Sequence, residues 1–180
     1  MLRYYRNPYL DTETTGLGDD AEICEIAVVT ATGRSRFQSL VKPVNPIPDD
    51  AIAVHGITNE MVATAPTFDK VLPNLMAVLR RRIVVIYNAE YDIRLIAQSA
   101  GAVDQRLSEE WQALDVHNVC AMKLFARFYG EWNERHGDYK WQQLGMAARF
   151  CGLELPKDLH RARADATLTL GVMDWLSKQP

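Results

Sequence analysis

The sequence predicts an α/β fold with five strands, an antiparallel meander first and helix-flanked strands after it. Two features carry that prediction. Residues 22–30 and 35–42 are rich in β-branched and apolar side chains, and Ala31-Thr32-Gly33-Arg34 between them has the composition of a hairpin turn. Residues 83–87, Ile-Val-Val-Ile-Tyr, form a continuous apolar run fit for a strand buried on both faces, with helical spacing before and after it. Size agrees: 180 residues, 48% hydrophobic and 24% charged, suit one globular domain with a real core. No internal repeat or linker divides residues 1–180, so a single domain is expected.

The first strand is Tyr9-Leu10-Asp11, running into Thr12-Glu13-Thr14-Thr15-Gly16. Residues two apart on a strand point to the same face, so Asp11 and Glu13 aim two carboxylates at one place. There they repel unless a cation or a proton lies between them. The Thr-Thr-Gly turn adds hydroxyls, backbone N–H groups and a permissive glycine. A solvated acidic strand end fits the same residues. With the two strands that follow, this segment makes a three-stranded meander.

Pro43, Pro46 and Pro48 then break regularity. Asp49-Asp50 can cap a short helix through Val54, His55-Gly56-Ile57-Thr58 is a turn, and Thr58 or Asn59 caps the next short helix. Val71, Leu75, Val78 and Leu79 give residues 68–80 a helical stripe. After the buried strand, Asp92, Leu95, Ile96 and Ser99 share one face of a helix over residues 90–100. Residues 113–119 are the last strand, and an amphipathic helix follows through Phe128. Residues 130–140 read as a polar loop, and 141–150 as a helix with Leu144, Ala147 and Ala148 inward. A final helix over residues 161–176 lines up Ala162, Asp165, Thr169, Val172 and Leu176.

Bulk properties narrow the function. A net charge of −3 does not mark a nucleic-acid binder, so a phosphate site here depends on metals and local Arg or Lys groups. Cys24, Cys120 and Cys151 are far apart without a CxxC, which argues against a disulfide framework and a zinc site and for a reducing compartment. Residues 1–6 carry no apolar signal core, and no apolar run is long enough to span a membrane. A soluble, cytoplasmic protein with no membrane partner is expected.

Three separate elements thus direct acids inward: Asp11 with Glu13 from a strand, Asp92 from a helix start, Asp165 from the last helix. Each has a plainer reading, Asp92 as a helix cap among them. Together they suggest one acidic pocket with oxygen ligands for hard cations. His160 precedes Asp165 by five residues, about 500° around a helix, so the two meet only if His160 stays on the preceding loop. There it suits a general base, imidazole being the side chain that exchanges protons near neutral pH, although a surface imidazole fits equally.

Asp11-Thr12-Glu13-Thr14-Thr15-Gly16, Asn88-Ala89-Glu90-Tyr91-Asp92 and His160-Arg161-Ala162-Arg163-Ala164-Asp165-Ala166 resemble, in order, the three motifs of the DEDDh 3′–5′ exonucleases. That group includes proofreading epsilon subunits, exonuclease X and RNase T. His55-Gly56-Ile57-Thr58-Asn59-Glu60-Met61-Val62 resembles the segment these enzymes carry between motifs, and Cys120-Ala121-Met122-Lys123-Leu124 a stretch of the exonuclease X-like members. Tyr87 stands where many relatives place a histidine.

The resemblance implies an RNase H-like fold, a central five-stranded mixed sheet with helices on both faces. It implies two divalent cations, Mg²⁺ or Mn²⁺: Asp11, Glu13 and Asp165 ligate one, and Asp11 bridges to a second that Asp92 holds through water. His160 deprotonates the attacking water, and nucleoside 5′-monophosphates leave from single-stranded or frayed DNA 3′ ends. RNA is the alternative substrate, and a non-catalytic module binding nucleic acid or a polymerase is the alternative class. Thr14, Thr15, Gly16 and Leu17 would contact the terminal nucleotide, Leu17 as an apolar wedge. His55 and Asn88 would approach sugar or phosphate, and Tyr91 the base or the metal-side wall. Trp141 can stack a base or pack in the core, and Lys123, Arg127, Lys140, Arg161 and Arg163 can line a phosphate track or simply face solvent. The chain ends four residues after Leu176, without the extension by which epsilon subunits hold a polymerase. A stand-alone nuclease is therefore expected, with a polymerase partner or a homodimer as alternatives.

Overall fold

The computed structural model describes residues 7–180, so the reading of residues 1–6 lies outside it. The sheet opens with β1 (Tyr9–Thr14), β2 (Ile23–Val29) and β3 (Ser35–Leu40), the expected meander. Between β2 and β3 the turn closes with Thr30 N–H on the Arg34 carbonyl at 2.8 Å, and Gly33 takes the left-handed φ of 75° that the turn requires. α1 (Asp49–His55) stops at Gly56, also left-handed, and the Thr58 side chain caps α2 (Asn59–Val62) by accepting from Met61 N.

α3 (Phe68–Leu79) leads to β4 (Ile83–Ile86), which feeds α4 (Ala89–Val103). Next come α5 (Gln105–Ala113), β5 (His117–Cys120) and α6 (Ala121–Tyr129). A short hairpin of β6 (Trp132–Asn133) and β7 (Asp138–Tyr139) precedes α7 (Leu144–Phe150) and α8 (Ala162–Ser177).

The five strands lie in the order β3-β2-β1-β4-β5, antiparallel among the first three and parallel from β1 through β4 to β5. Alternate residues feed two cores. Leu10, Ile26, Val28, Val84 and Ile86 pack against Leu72, Leu75, Leu95, Ile96 and Trp111 from α3, α4 and α5. Tyr9, Val29, Val85 and Tyr87 pack against Phe125, Ala147, Ala148, Ala166, Val172 and Leu176 from α6, α7 and α8. The sheet is mixed and helices cover both faces, as expected. No helix among the described residues is long and apolar enough to cross a membrane. The three cysteines are free, Cys24 and Cys151 buried, and burial pushes the Cys24 thiol up to about 12.

Four local expectations need correction. α5 has no counterpart in the sequence pattern, because its buried residues are only Ser108 and Trp111, too few apolar positions to mark a stripe. That helix takes Ala113, so β5 begins at His117 and not at residue 113. Residues 130–140 hold a hairpin whose Trp132 and Tyr139 rings meet edge to face at 5.3 Å. α7 starts at Leu144; Trp141 and Gln142 lie before it outside any helix or strand, with Tyr87 Oη donating to the Gln142 carbonyl at 2.9 Å.

β1 pairs with β4 only through Tyr9↔Val85 and Leu10↔Ile86, because β4 ends at Ile86 and turns into α4. Among the described residues, 11–14 keep β2 on one side and have no neighbouring strand on the other. A crevice therefore opens beyond the carboxyl ends of β1 and β4, the usual ligand position in open α/β sheets.

Candidate active site

Strand alternation sorts β1 across that crevice. Tyr9, and so Asp11 and Glu13, face α8; Leu10, and so Thr12, face α4. α8 carries Asp165 in its first turn, on the buried stripe with Ala162, Thr169, Val172 and Leu176. The carboxylate oxygens of Asp11, Glu13 and Asp165 come within 4.8 Å of one another. Asp92 approaches from the opposite face. It stands in the first turn of α4, 4% exposed, and its Oδ1 accepts from Thr12 Oγ1 at 2.8 Å. Asn88, not Asp92, occupies the N-cap of α4.

Burial and mutual repulsion set the electrostatics. Asp11 is pushed well above the usual carboxylate range by burial and then by the charges of Asp92, Asp165, Glu13 and Glu25. Burial, with Asp165 and Glu25 adding, raises Glu13 to about 8. Asp92 rises to about 7 through burial, partly relieved by the Thr12 hydrogen bond. Burial also raises Asp165, opposed by the His160 N–H and the His160 charge. Carboxylates so arranged stay fully ionised at neutral pH only if cations offset them. An all-oxygen donor set of this kind fits hard divalent ions such as Mg²⁺ and Mn²⁺.

His160 sits on the turn just before α8, as the spacing requires, with an exposed side chain and a left-handed φ of 64°. Its backbone N–H donates to Asp165 Oδ1 at 3.3 Å. The segment after β1 is a tied turn. Tyr91 Oη donates to the Gly16 carbonyl at 2.7 Å and lies 2.6 Å from Thr14 Oγ1. Thr15 Oγ1 accepts from Glu22 N at 2.9 Å, so the two threonine hydroxyls are engaged inside the protein. Arg94 and Gln98 hold the Leu17 and Gly18 carbonyls from α4, leaving the Leu17 side chain 81% exposed.

His55 is buried. Its Nδ1 accepts from Ile57 N at 3.0 Å and its Nε2 faces the Thr14 carbonyl at 3.2 Å, so the ring supports the turn from behind. Burial lowers its pKa and keeps it neutral. Asn88 is exposed at the mouth of the crevice, at the start of α4.

Two residues that matter here were missed by sequence reasoning. Thr12 carries no signal of its own in the sequence, yet it anchors Asp92. Glu25 does carry a visible signal, a carboxylate inside the apolar run of β2. It pairs in register with Glu13 and binds Arg161 through Nε and Nη2, so that the Arg161 guanidinium is ion-paired and half-buried. Lys123 pairs with Glu90 and lies 5.8 Å over the Trp141 ring, and Lys140 pairs with Glu131. Trp141 is 52% exposed and is not a core residue.

Comparison with known proteins places this geometry. The family model described as Exonuclease, RNase_T, matches residues 9–173. The uncharacterized exonuclease CP81 of Escherichia phage 186 is 44% identical over 170 residues, covering 94% of this chain and 87% of its own. Exodeoxyribonuclease 10 of Escherichia coli K12 is 29% identical over 181 residues, 94% of this chain and 71% of its own. Exonuclease X, solved with 5′ overhanging duplex DNA, superposes with a TM-score of 0.68 at 26% identity over 96% of this chain and 92% of that one. The fold is RNase H-like, and the chain belongs to the RNase T family of exonucleases, in its DEDDh group.

Proposed function

We propose that the protein is a 3′–5′ exonuclease that uses two divalent cations, Mg²⁺ or Mn²⁺, to release nucleoside 5′-monophosphates from DNA 3′ ends. The observation that carries this reading is the convergence of Asp11, Glu13 and Asp165 within 4.8 Å, with Asp92 across the crevice and His160 beside Asp165. Asp11, Glu13 and Asp165 would hold one ion, and Asp92 with Asp11 the other. When bound, such a pair stabilises the attacking and leaving oxygens of an in-line displacement. His160, exposed on its turn, takes the proton of the attacking water. Leu17 projects from a turn fixed by Arg94, Gln98 and Tyr91, and wedges against the terminal base. Asn88 meets the sugar-phosphate at the crevice mouth. His55 acts on the substrate through the Thr14 turn that it supports.

DNA is the preferred substrate because relatives over nearly the whole chain are named exodeoxyribonuclease or were solved with DNA. The test is gel-resolved digestion of a 5′-labelled DNA strand and its RNA twin with Mg²⁺ or Mn²⁺. A ladder shortening from the DNA 3′ end is expected. Degradation of RNA alone moves the substrate to RNA, and a 3′ end that is bound yet left intact makes the protein a non-catalytic module.

A further inference from the structure

The site has a fifth carboxylate beside it, on the α8 face of the sheet. Glu25 lies in a strand buried along its whole length, is 1% exposed, and pairs in register with Glu13. Partners opposite each other in an antiparallel pair share a face, so Glu25 belongs beside Asp11 and Glu13. A buried, unpaired charge next to two others is among the costliest arrangements a core can hold. Here both oxygens are taken by donors. Oε1 accepts from Arg161 Nη2 at 2.9 Å and Gln38 Nε2 at 3.3 Å. Oε2 accepts from Arg161 Nε at 2.9 Å and Ala162 N at 3.1 Å. Burial alone would raise the Glu25 pKa, but these donors hold it below the usual range. The residue is a charged anchor and not one of the clustered cation ligands.

What it anchors is the turn that carries His160. Arg161 and Ala162 follow His160 directly, as N-cap and first residue of α8. The Arg161 side chain makes no capping bond to its own helix. Glu25 instead accepts one of the N–H groups that a helix start leaves unpaired, at the end where the helix dipole favours an anion. His160 itself holds a left-handed φ of 64°, a conformation that a side chain with a Cβ keeps only when its surroundings fix it. Its N–H is tied to Asp165 on one side, and the next two residues are tied to Glu25 on the other.

We infer that Glu25 and Arg161 are a positioning pair that holds the His160 turn over the acidic cluster. The inference rests on the general-base role proposed for His160, and its test separates the two. The variants are Glu25→Gln, which sets an amide NH₂ against the Arg161 donors, Arg161→Lys, His160→Ala and the double variant Glu25→Gln/His160→Ala. With a single-stranded DNA substrate and Mn²⁺, Glu25→Gln is expected to lower kcat by about 10²-fold, the scale of a misplaced catalytic group, with KM within about twofold. Arg161→Lys keeps the charge and one bond and falls between wild type and Glu25→Gln. The double variant is no slower than His160→Ala, because the anchor has nothing left to position.

Losses that multiply in the double variant overturn the inference, since Glu25 then acts independently of His160. Hydrogen–deuterium exchange over residues 158–164 reads the positioning without activity. Protection present in wild type and lost in Glu25→Gln supports the anchor, and unchanged protection overturns it. A wild type that leaves every 3′ end intact sinks the exonuclease reading and leaves the exchange result to decide the anchor. Should Glu25→Gln not fold, Arg161→Lys carries the same kinetic and exchange comparison.

Discussion

Replacing the Asp11 carboxylate has two opposite consequences, because the charge that would hold a cation is repelled by Asp92, Asp165, Glu13 and Glu25 when none is bound. Asp11→Asn is expected to cut turnover by about 10³-fold or more, beyond the loss of one electrostatic stabiliser. In EDTA at pH 8 the same variant melts higher than wild type, since a buried repulsion is gone. Parallel rate assays and thermal melts check the pair; a variant that is active, or less stable without metal, contradicts it. His160→Ala has a different signature. Loss of a general base lowers kcat by roughly 10²–10⁴. The acid limb of the pH–rate profile flattens with it, and a profile matching wild type would remove His160 from that role.

At the scale of elements, the crevice depends on how strands and helices meet. β4 stops four residues short of the end of β1, and α4 swings Asp92 onto the free flank, where Thr12 holds it. A hydrogen bond to a charged group contributes ~1.5–3 kcal/mol. Thr12→Val should therefore raise the Mn²⁺ concentration for half-maximal activity about tenfold, with Asp92 still in place. A titration curve superposing on wild type would show that Thr12 does not hold Asp92 for metal.

The same elements explain what could be read in advance. Period-2 and period-3.6 spacing place a residue on a face of its own strand or helix, so Asp11 with Glu13, Asp92 and Asp165 were each seen to point inward. Which faces meet is set by pairing register, and that information is spread between distant segments. The Thr12–Asp92 bond spans 80 residues and the Glu25–Arg161 pair 136, and neither leaves a local pattern. α5 and the β6–β7 hairpin were missed for another reason. Their residues are polar enough that periodicity carries little signal, and tertiary packing decides their form.

For the whole molecule, the acidic cluster couples stability to pH. Glu13 is raised from 4.5 to about 8 and Asp92 from 3.8 to about 7. A raised carboxylate keeps its proton in the folded state while the unfolded chain has lost it. Its contribution is present in full below the unfolded pKa, near 4, and is lost as pH rises through the folded pKa near 7 or 8. Glu25 has the opposite sign: its pKa is lowered, so its contribution is lost in acid. The metal-free protein should thus be most stable in mildly acidic buffer and lose on the order of a few kcal/mol by pH 8. Mn²⁺ should raise the melting temperature more at pH 8 than at pH 5. Melts across that range with EDTA or Mn²⁺ check this, and a metal-free Tm that climbs toward pH 8 would contradict it.

All of these effects presuppose that side chains from β1, α4 and α8 share a pair of ions. Anomalous diffraction from crystals soaked in Mn²⁺ with a nucleoside 5′-monophosphate tests that directly. Two peaks are predicted, one among Asp11, Glu13 and Asp165 and one between Asp11 and Asp92. Nucleotide density in the crevice with no manganese peak beside those carboxylates would contradict the account.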